Sequence, residues 1–78
     1  MTLKIISAEQ IEFEGTVDAV TLPGVMGSFQ VLKNHAALIS SLTKGEIVYV
    51  SGGKEYRLPI AEGFVEVRNN QVDVCVEV

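Results

Sequence analysis

The closing stretch GFVEVRNNQVDVCVEV alternates apolar and polar positions on either side of Asn69-Asn70, the period of two that gives a strand one core face and one solvent face. Asparagine tolerates the left-handed backbone that a two-residue hairpin turn requires. Pairing outward from that turn sets Arg68 against Gln71, Val67 against Val72, Glu66 against Asp73, Val65 against Val74 and Phe64 against Cys75. Val65, Val67, Val72 and Val74 then share one face. A slip of one residue would divide them between faces, so turn and pattern specify the same register. The pairing opposes two like charges, Glu66 and Asp73, which is unfavourable unless a cation such as Arg68 lies alongside. It also puts Phe64 and Cys75 on the outer face.

The segment EIVYVSGGKEYRLPI repeats this logic around Gly52-Gly53. Pairing from there sets Val50 against Glu55, Tyr49 against Tyr56, Val48 against Arg57 and Ile47 against Leu58. Ile47, Tyr49, Tyr56 and Leu58 are expected to face inward. Pro59 has no N–H to give to a ladder, so its strand is expected at an edge or an end. Upstream, LKII and QIEFEG predict two strands, with Ile11 and Phe13 on one face and Glu12 and Glu14 on the other. VDAVTL predicts a third strand ending at Pro23, with Pro23-Gly24 at the centre of a type II turn. Phe29 and Val31 anchor a fourth, and ALISSL reads as a short strand or a single helical turn. No segment keeps a helical period with caps at both ends. The prediction is all-β: one domain over residues 1–78, an antiparallel sandwich or flattened barrel of about eight to ten short strands.

Composition narrows the function. With 47% apolar and 21% charged residues the chain is globular in type, and no apolar run approaches the roughly 20 residues of a spanning helix. The opening MTLKIISAEQ lacks the continuous apolar region of a secretory signal, so a cytoplasmic location is the default expectation. A single cysteine, Cys75, permits neither an internal disulfide nor a cysteine metal cluster, and its simplest role is a small apolar filler. Ten acidic residues stand against six basic ones that are scattered along the chain, which gives nucleic acid no basic stripe to bind.

The stretch LPGVMGSFQVLKNHAALI holds the most suggestive side chains. His35 is the only histidine, but no serine or cysteine nucleophile with an orienting carboxylate accompanies it in the sequence pattern. A histidine beside Asn34 in a connection between strands fits a structural or interface role. The glycines of PGVMG lack the Lys-Ser/Thr of a phosphate cradle and precede no helix. Met26, at the tip of such a turn, is a flexible apolar side chain suited to contact with another protein. Lys54 follows the Gly52-Gly53 turn, and lipoyl or biotinyl carrier domains present a modified lysine at a hairpin tip. Their lysine lies in MKM or DKA, whereas here the context is GGKEY.

Taken in order, LKIISAEQIEFEGTVDAV, LPGVMGSFQVLKNHAALI, LTKGEI, SGGKEYRL, GFVEV and NQVDVCVE resemble the N-terminal β-sandwich domain of the epsilon subunit of the rotary ATP synthase. The resemblance covers essentially the whole chain. It departs from the family pattern at Ala37, where a proline is usual, and at Ser28, where an acidic residue is frequent. The resemblance implies a non-catalytic rotor subunit without a cofactor, which packs on the gamma subunit and sits on the ring of c subunits. It further implies peripheral attachment, through the complex, to the cytoplasmic face of the energy-transducing plasma membrane. Val25, Met26, Ser28, Asn34 and His35 fall in the region expected near the c-ring, and Phe64 with Cys75 is the candidate gamma-facing pair. Family members commonly continue into a pair of inhibitory helices, which are expected to be absent from a chain that stops after the sandwich.

Overall fold

The computed structural model describes Met1–Val78 and contains nine strands: β1 (Thr2–Ile6), β2 (Ile11–Thr16), β3 (Ala19–Gly24), β4 (Gly27–Leu32), β5 (Leu38–Leu42), β6 (Gly45–Ser51), β7 (Lys54–Ile60), β8 (Glu62–Arg68) and β9 (Gln71–Glu77). They form one hydrogen-bonded sheet in the order β2-β1-β9-β8-β5-β3-β6-β7, with β4 paired to β3. The sheet folds over at β5 and β3, which meet only where Gly24 lies opposite Leu42. Two faces result: β2-β1-β9-β8-β5, and β4-β3-β6-β7.

Four segments of chain pass from one face to the other: the loop of residues 33–37 between β4 and β5, and three shorter corners. β2 passes to β3 through Val17 and Asp18, β5 to β6 through Thr43 and Lys44, and β7 to β8 through Ala61. A bend in a sheet threatens to strand backbone polar groups, and these corners satisfy theirs across the fold. The amide of Val17 donates to the Met1 carbonyl, Asp18 to Val50, Thr43 to Pro23 and Ala61 to Glu77. Inward positions of both faces then pool into a single core, with Leu3, Ile5, Val65, Val67, Val72 and Val74 from one side and Val20, Leu22, Val31 and Ile47 from the other. No polar or charged residue is buried with them. Phe13 on β2 packs on Tyr49 of β6 with ring centroids 4.3 Å apart, which joins the two faces along one side.

Both predicted hairpins have the expected register, from Arg68–Gln71 to Phe64–Cys75 in one and from Val50–Glu55 to Ile47–Leu58 in the other. Asn69, Asn70, Gly52 and Gly53 all take positive φ, as mirror-image turns require. Pro59 lies on β7, the outermost strand of its face. ALISSL resolves to strand β5.

Four expectations are corrected. The sheet is not wholly antiparallel, because β1 and β9 run parallel with Leu3 opposite Val72 and Ile5 opposite Val74. Ile11 and Phe13 do not share a face: a bulge leaves Glu12 without a partner on β1, so Phe13 opposes the buried Ile5 while Ile11 opposes the outward Ile6. Tyr56 stacks on Tyr49 at 5.3 Å, yet its position on an edge strand leaves it exposed. Finally, β3 continues through Pro23 and Gly24, and the turn falls on Val25 and Met26.

Candidate protein-docking surfaces

The β3–β4 ladder runs to its last pair, Gly24 opposite Gly27, so Val25 and Met26 alone form the tip. The φ of +122° that closes this turn is taken by Gly27, not by Gly24. Gly24 is a glycine for a different reason: a Cβ there would lie 2.9 Å from the Phe29 ring, which folds over the strand beneath the tip. The Val25 amide donates to the Ser41 carbonyl at 3.1 Å, and this anchors the tip to β5. The side chains themselves are presented to solvent, Met26 at 97% exposure and Val25 at 57%, with exposed Ser28 beside them opposite Pro23. This is a small apolar knob on a backbone held by its neighbours.

Asn34 and His35 sit elsewhere. They follow the far end of β4, whose six residues span about 20 Å at roughly 3.3 Å each, in a molecule only 26 × 23 × 18 Å overall. The five residues expected at one docking region therefore do not form one patch. Asn34, at φ +65°, is instead clipped to the β8–β9 turn. Its amide donates to Asn70 Oδ1, and Asn70 Nδ2 donates to Asn34 Oδ1 at 2.8 Å. The Asn70 carbonyl in turn accepts from the Thr2 amide at 2.9 Å. His35 donates its amide to the Leu32 carbonyl, and its Nδ1–H donates to the Ala36 carbonyl at 2.8 Å. The polar partners of the histidine are the carbonyls of Leu32, which closes β4, and of its neighbour Ala36, so its hydrogen bonds serve to hold the loop.

The other expected pair, Phe64 and Cys75, proves to be part of something larger. Cross-strand registers align Phe64 with Cys75, Cys75 with Ile6 and Ile6 with Ile11, an apolar row across β8, β9, β1 and β2. All four side chains point outward, with Phe64 at 51% and Ile11 at 54% exposure and the middle two half-buried. Ile6 and Ile11 were missed by sequence reasoning, because local hairpin signals carry no trace of the parallel β1–β9 pairing or of the bulge at Glu12. The like-charge pair Glu66–Asp73 also finds its neighbouring cation through that pairing: Lys4, opposite Asp73, rather than Arg68.

Lys54 opens β7 opposite Ser51, beside the turn and not on it. Arg57 lies further along that strand, 2.8 Å from Glu55 and 3.4 Å from Glu46, and these hydrogen-bonded carboxylates hold its guanidinium pKa above the ordinary value. No three or more His, Cys, Asp or Glu side chains are grouped to hold a metal ion, and no helix is long and apolar enough to cross a membrane.

Known proteins agree with this geometry. The family model for the ATP synthase delta/epsilon chain β-sandwich domain matches residues 1–78. Among curated relatives, the ATP synthase epsilon chain of Anaeromyxobacter sp. is 36% identical over 99% of this chain, and that of Dehalococcoides mccartyi is 38% identical over the same share. The chain spans only 58% and 55% of those two proteins. Among solved structures, a chain in the Euglena gracilis mitochondrial ATP synthase (OSCP/F1/c-ring, rotational state 1) superposes with a TM-score of 0.88 at 25% identity, over 95% of this chain and 48% of its own length. A chain in the central stalk/c-ring structure of the Tetrahymena thermophila mitochondrial enzyme gives 0.82 at 14% identity, over 99% of this chain and 63% of its own, a likeness of fold. The carrier reading of Lys54 gains no support from any of these. On the full-length family match and these epsilon-chain relatives, the chain belongs to the delta/epsilon family of ATP synthase chains, as its β-sandwich domain.

Proposed function

We propose that this domain is a non-catalytic element of the central stalk of the proton-translocating ATP synthase, docking both the gamma subunit and the c-ring and helping couple proton flow to ATP synthesis. The observation that carries the proposal is the match of residues 1–78 to the delta/epsilon β-sandwich family, together with epsilon chains of that enzyme that align over 99% of this chain. The architecture suits such a role, because a sheet folded over a dry core transmits torque as a rigid body and its two docking regions lie on separate surfaces. The c-ring contact is assigned to the tip formed by Val25 and Met26 with Ser28 beside it, where exposed apolar atoms stand on an anchored backbone. Asn34 and His35, at the other end of β4, are assigned to holding their loop. The gamma contact is assigned to the outer face carrying Phe64 and Cys75. Attachment to the cytoplasmic face of the plasma membrane then follows through the complex. These 78 residues contain no helix, so inhibition by a helical arm has no source within them.

The test is co-purification with tagged gamma subunit from cells expressing both. Recovery of a stoichiometric complex is the expected result, and its absence under conditions where the chain is folded ends the proposal.

A further inference from the structure

The face carrying Phe64 and Cys75 is charged in a way that specifies its partner. On either side of this pair along the β8–β9 ladder stands a pair of opposed carboxylates, Glu66–Asp73 on one flank and Glu62–Glu77 on the other. Like charges directly opposite one another on a sheet oppose its formation. None of the four carboxylates takes part in an ion pair, since the fold's salt bridges all belong to Arg57 on the opposite face. Lys4 stands opposite Asp73 without closing to ion-pair distance, and Arg68 lies one row further out, opposite Gln71. Next to Lys4 comes another carboxylate, Glu14. An apolar row with exposed ends, flanked by four carboxylates that share one adjacent cation, Lys4, is costly to leave in water on both counts, and one kind of ligand relieves both.

We infer that the row from Phe64 through Cys75 and Ile6 to Ile11 receives a cationic amphipathic segment of the gamma subunit, an apolar ridge flanked by lysines or arginines that lie over the two carboxylate pairs. The inference rests on the proposed function for the identity of the partner, and deepens it by giving the contact a sign and a registration. Rim charges of this kind act on encounter rate and choice of partner, and their effect is screened by salt. The apolar row supplies the part of the affinity that salt leaves alone.

Binding of purified gamma subunit by calorimetry at low and high salt tests this, with melting temperature measured on each variant. Glu62→Lys combined with Glu66→Lys converts both repulsive cross-strand pairs into attractive ones, so the free chain is expected to melt a few degrees higher. The same variant is expected to bind gamma about tenfold or more weakly at low salt, with the salt dependence of the wild type largely gone. More stable but weaker in binding is an outcome that misfolding cannot produce. Should the double lysine variant melt lower than wild type, Glu62→Gln with Glu66→Gln carries the same comparison with a smaller loss. Phe64→Ser is expected to weaken binding at every salt concentration. Equal binding by wild type and charge variants, or wild-type affinity indifferent to salt, overturns the inference and leaves the proposed function standing. A folded wild type that does not bind gamma removes both. Self-association that Phe64→Ser abolishes while gamma binding persists would assign the face to a second copy of the chain, and overturns the inference too.

Discussion

At Gly24 the backbone takes an ordinary φ, and crowding is what forbids a side chain: a Cβ would meet the Gly27 carbonyl oxygen at 2.8 Å and the Phe29 ring at 2.9 Å. Backbone and a packed aromatic cannot both yield cheaply, so Gly24→Ala is expected to destabilise the chain by about 1–3 kcal/mol, read as a lower urea midpoint at unchanged slope. Tyr49 offers a prediction of a different kind. Burial, and secondarily the neighbouring Tyr56, raise its pKa above the ordinary phenol value of 10.0. A phenol whose folded pKa is raised favours folding in its neutral form, so its contribution is complete below pH 10 and is lost as pH climbs through the raised value. Wild type should therefore lose stability in alkaline urea titrations, and Tyr49→Phe should lose less of it over that range.

Elements were legible where the signal is local. Asn69-Asn70 and Gly52-Gly53 combine turn chemistry with alternating flanks, and both ladders formed in the expected register. Signals that depend on distant chain were not. The turn at Val25 and Met26 has no left-handed residue at its centre, and the conspicuous Pro23-Gly24 beside it is strand, its glycine answering to Phe29. Nothing around Ile5 announces the bulge at Glu12, and nothing in either terminus announces that β1 lies parallel to β9. The Asn34–Asn70 clip belongs to the same class, joining residues 36 positions apart. Asn70→Gly keeps the positive φ of the turn while deleting both hydrogen bonds of the clip. It is expected to cost about 1 kcal/mol in thermal or urea unfolding and to speed amide hydrogen exchange at Asn34, with the β8–β9 ladder still protected. Exchange at Asn34 unchanged from wild type would mean that the loop is held by something else.

For the whole molecule, what sequence could name was the residues and what it could not supply was their distribution. Met26 and His35 are nine positions apart and look like one loop. A strand runs between them and carries them to opposite ends of the fold. Docking regions that are separated on a rigid body should be separable by mutation. Met26 is 97% exposed, so Met26→Asp removes apolar contact and adds charge without touching the core, and its melting temperature should match wild type. In the assembled enzyme it is expected to lower retention of the c-ring and coupled ATP synthesis, while recovery with gamma stays normal. His35→Ala, which loses only the side-chain hydrogen bond to the adjacent Ala36 carbonyl, should leave both contacts in place. Phe64→Ser should show the reverse pattern from Met26→Asp, with gamma recovery reduced. Intact c-ring retention and intact coupling in Met26→Asp would remove the tip from the c-ring contact. Loss of both partners from either single variant would mean that the two surfaces communicate, which a sheet folded over a dry core gives no reason to expect.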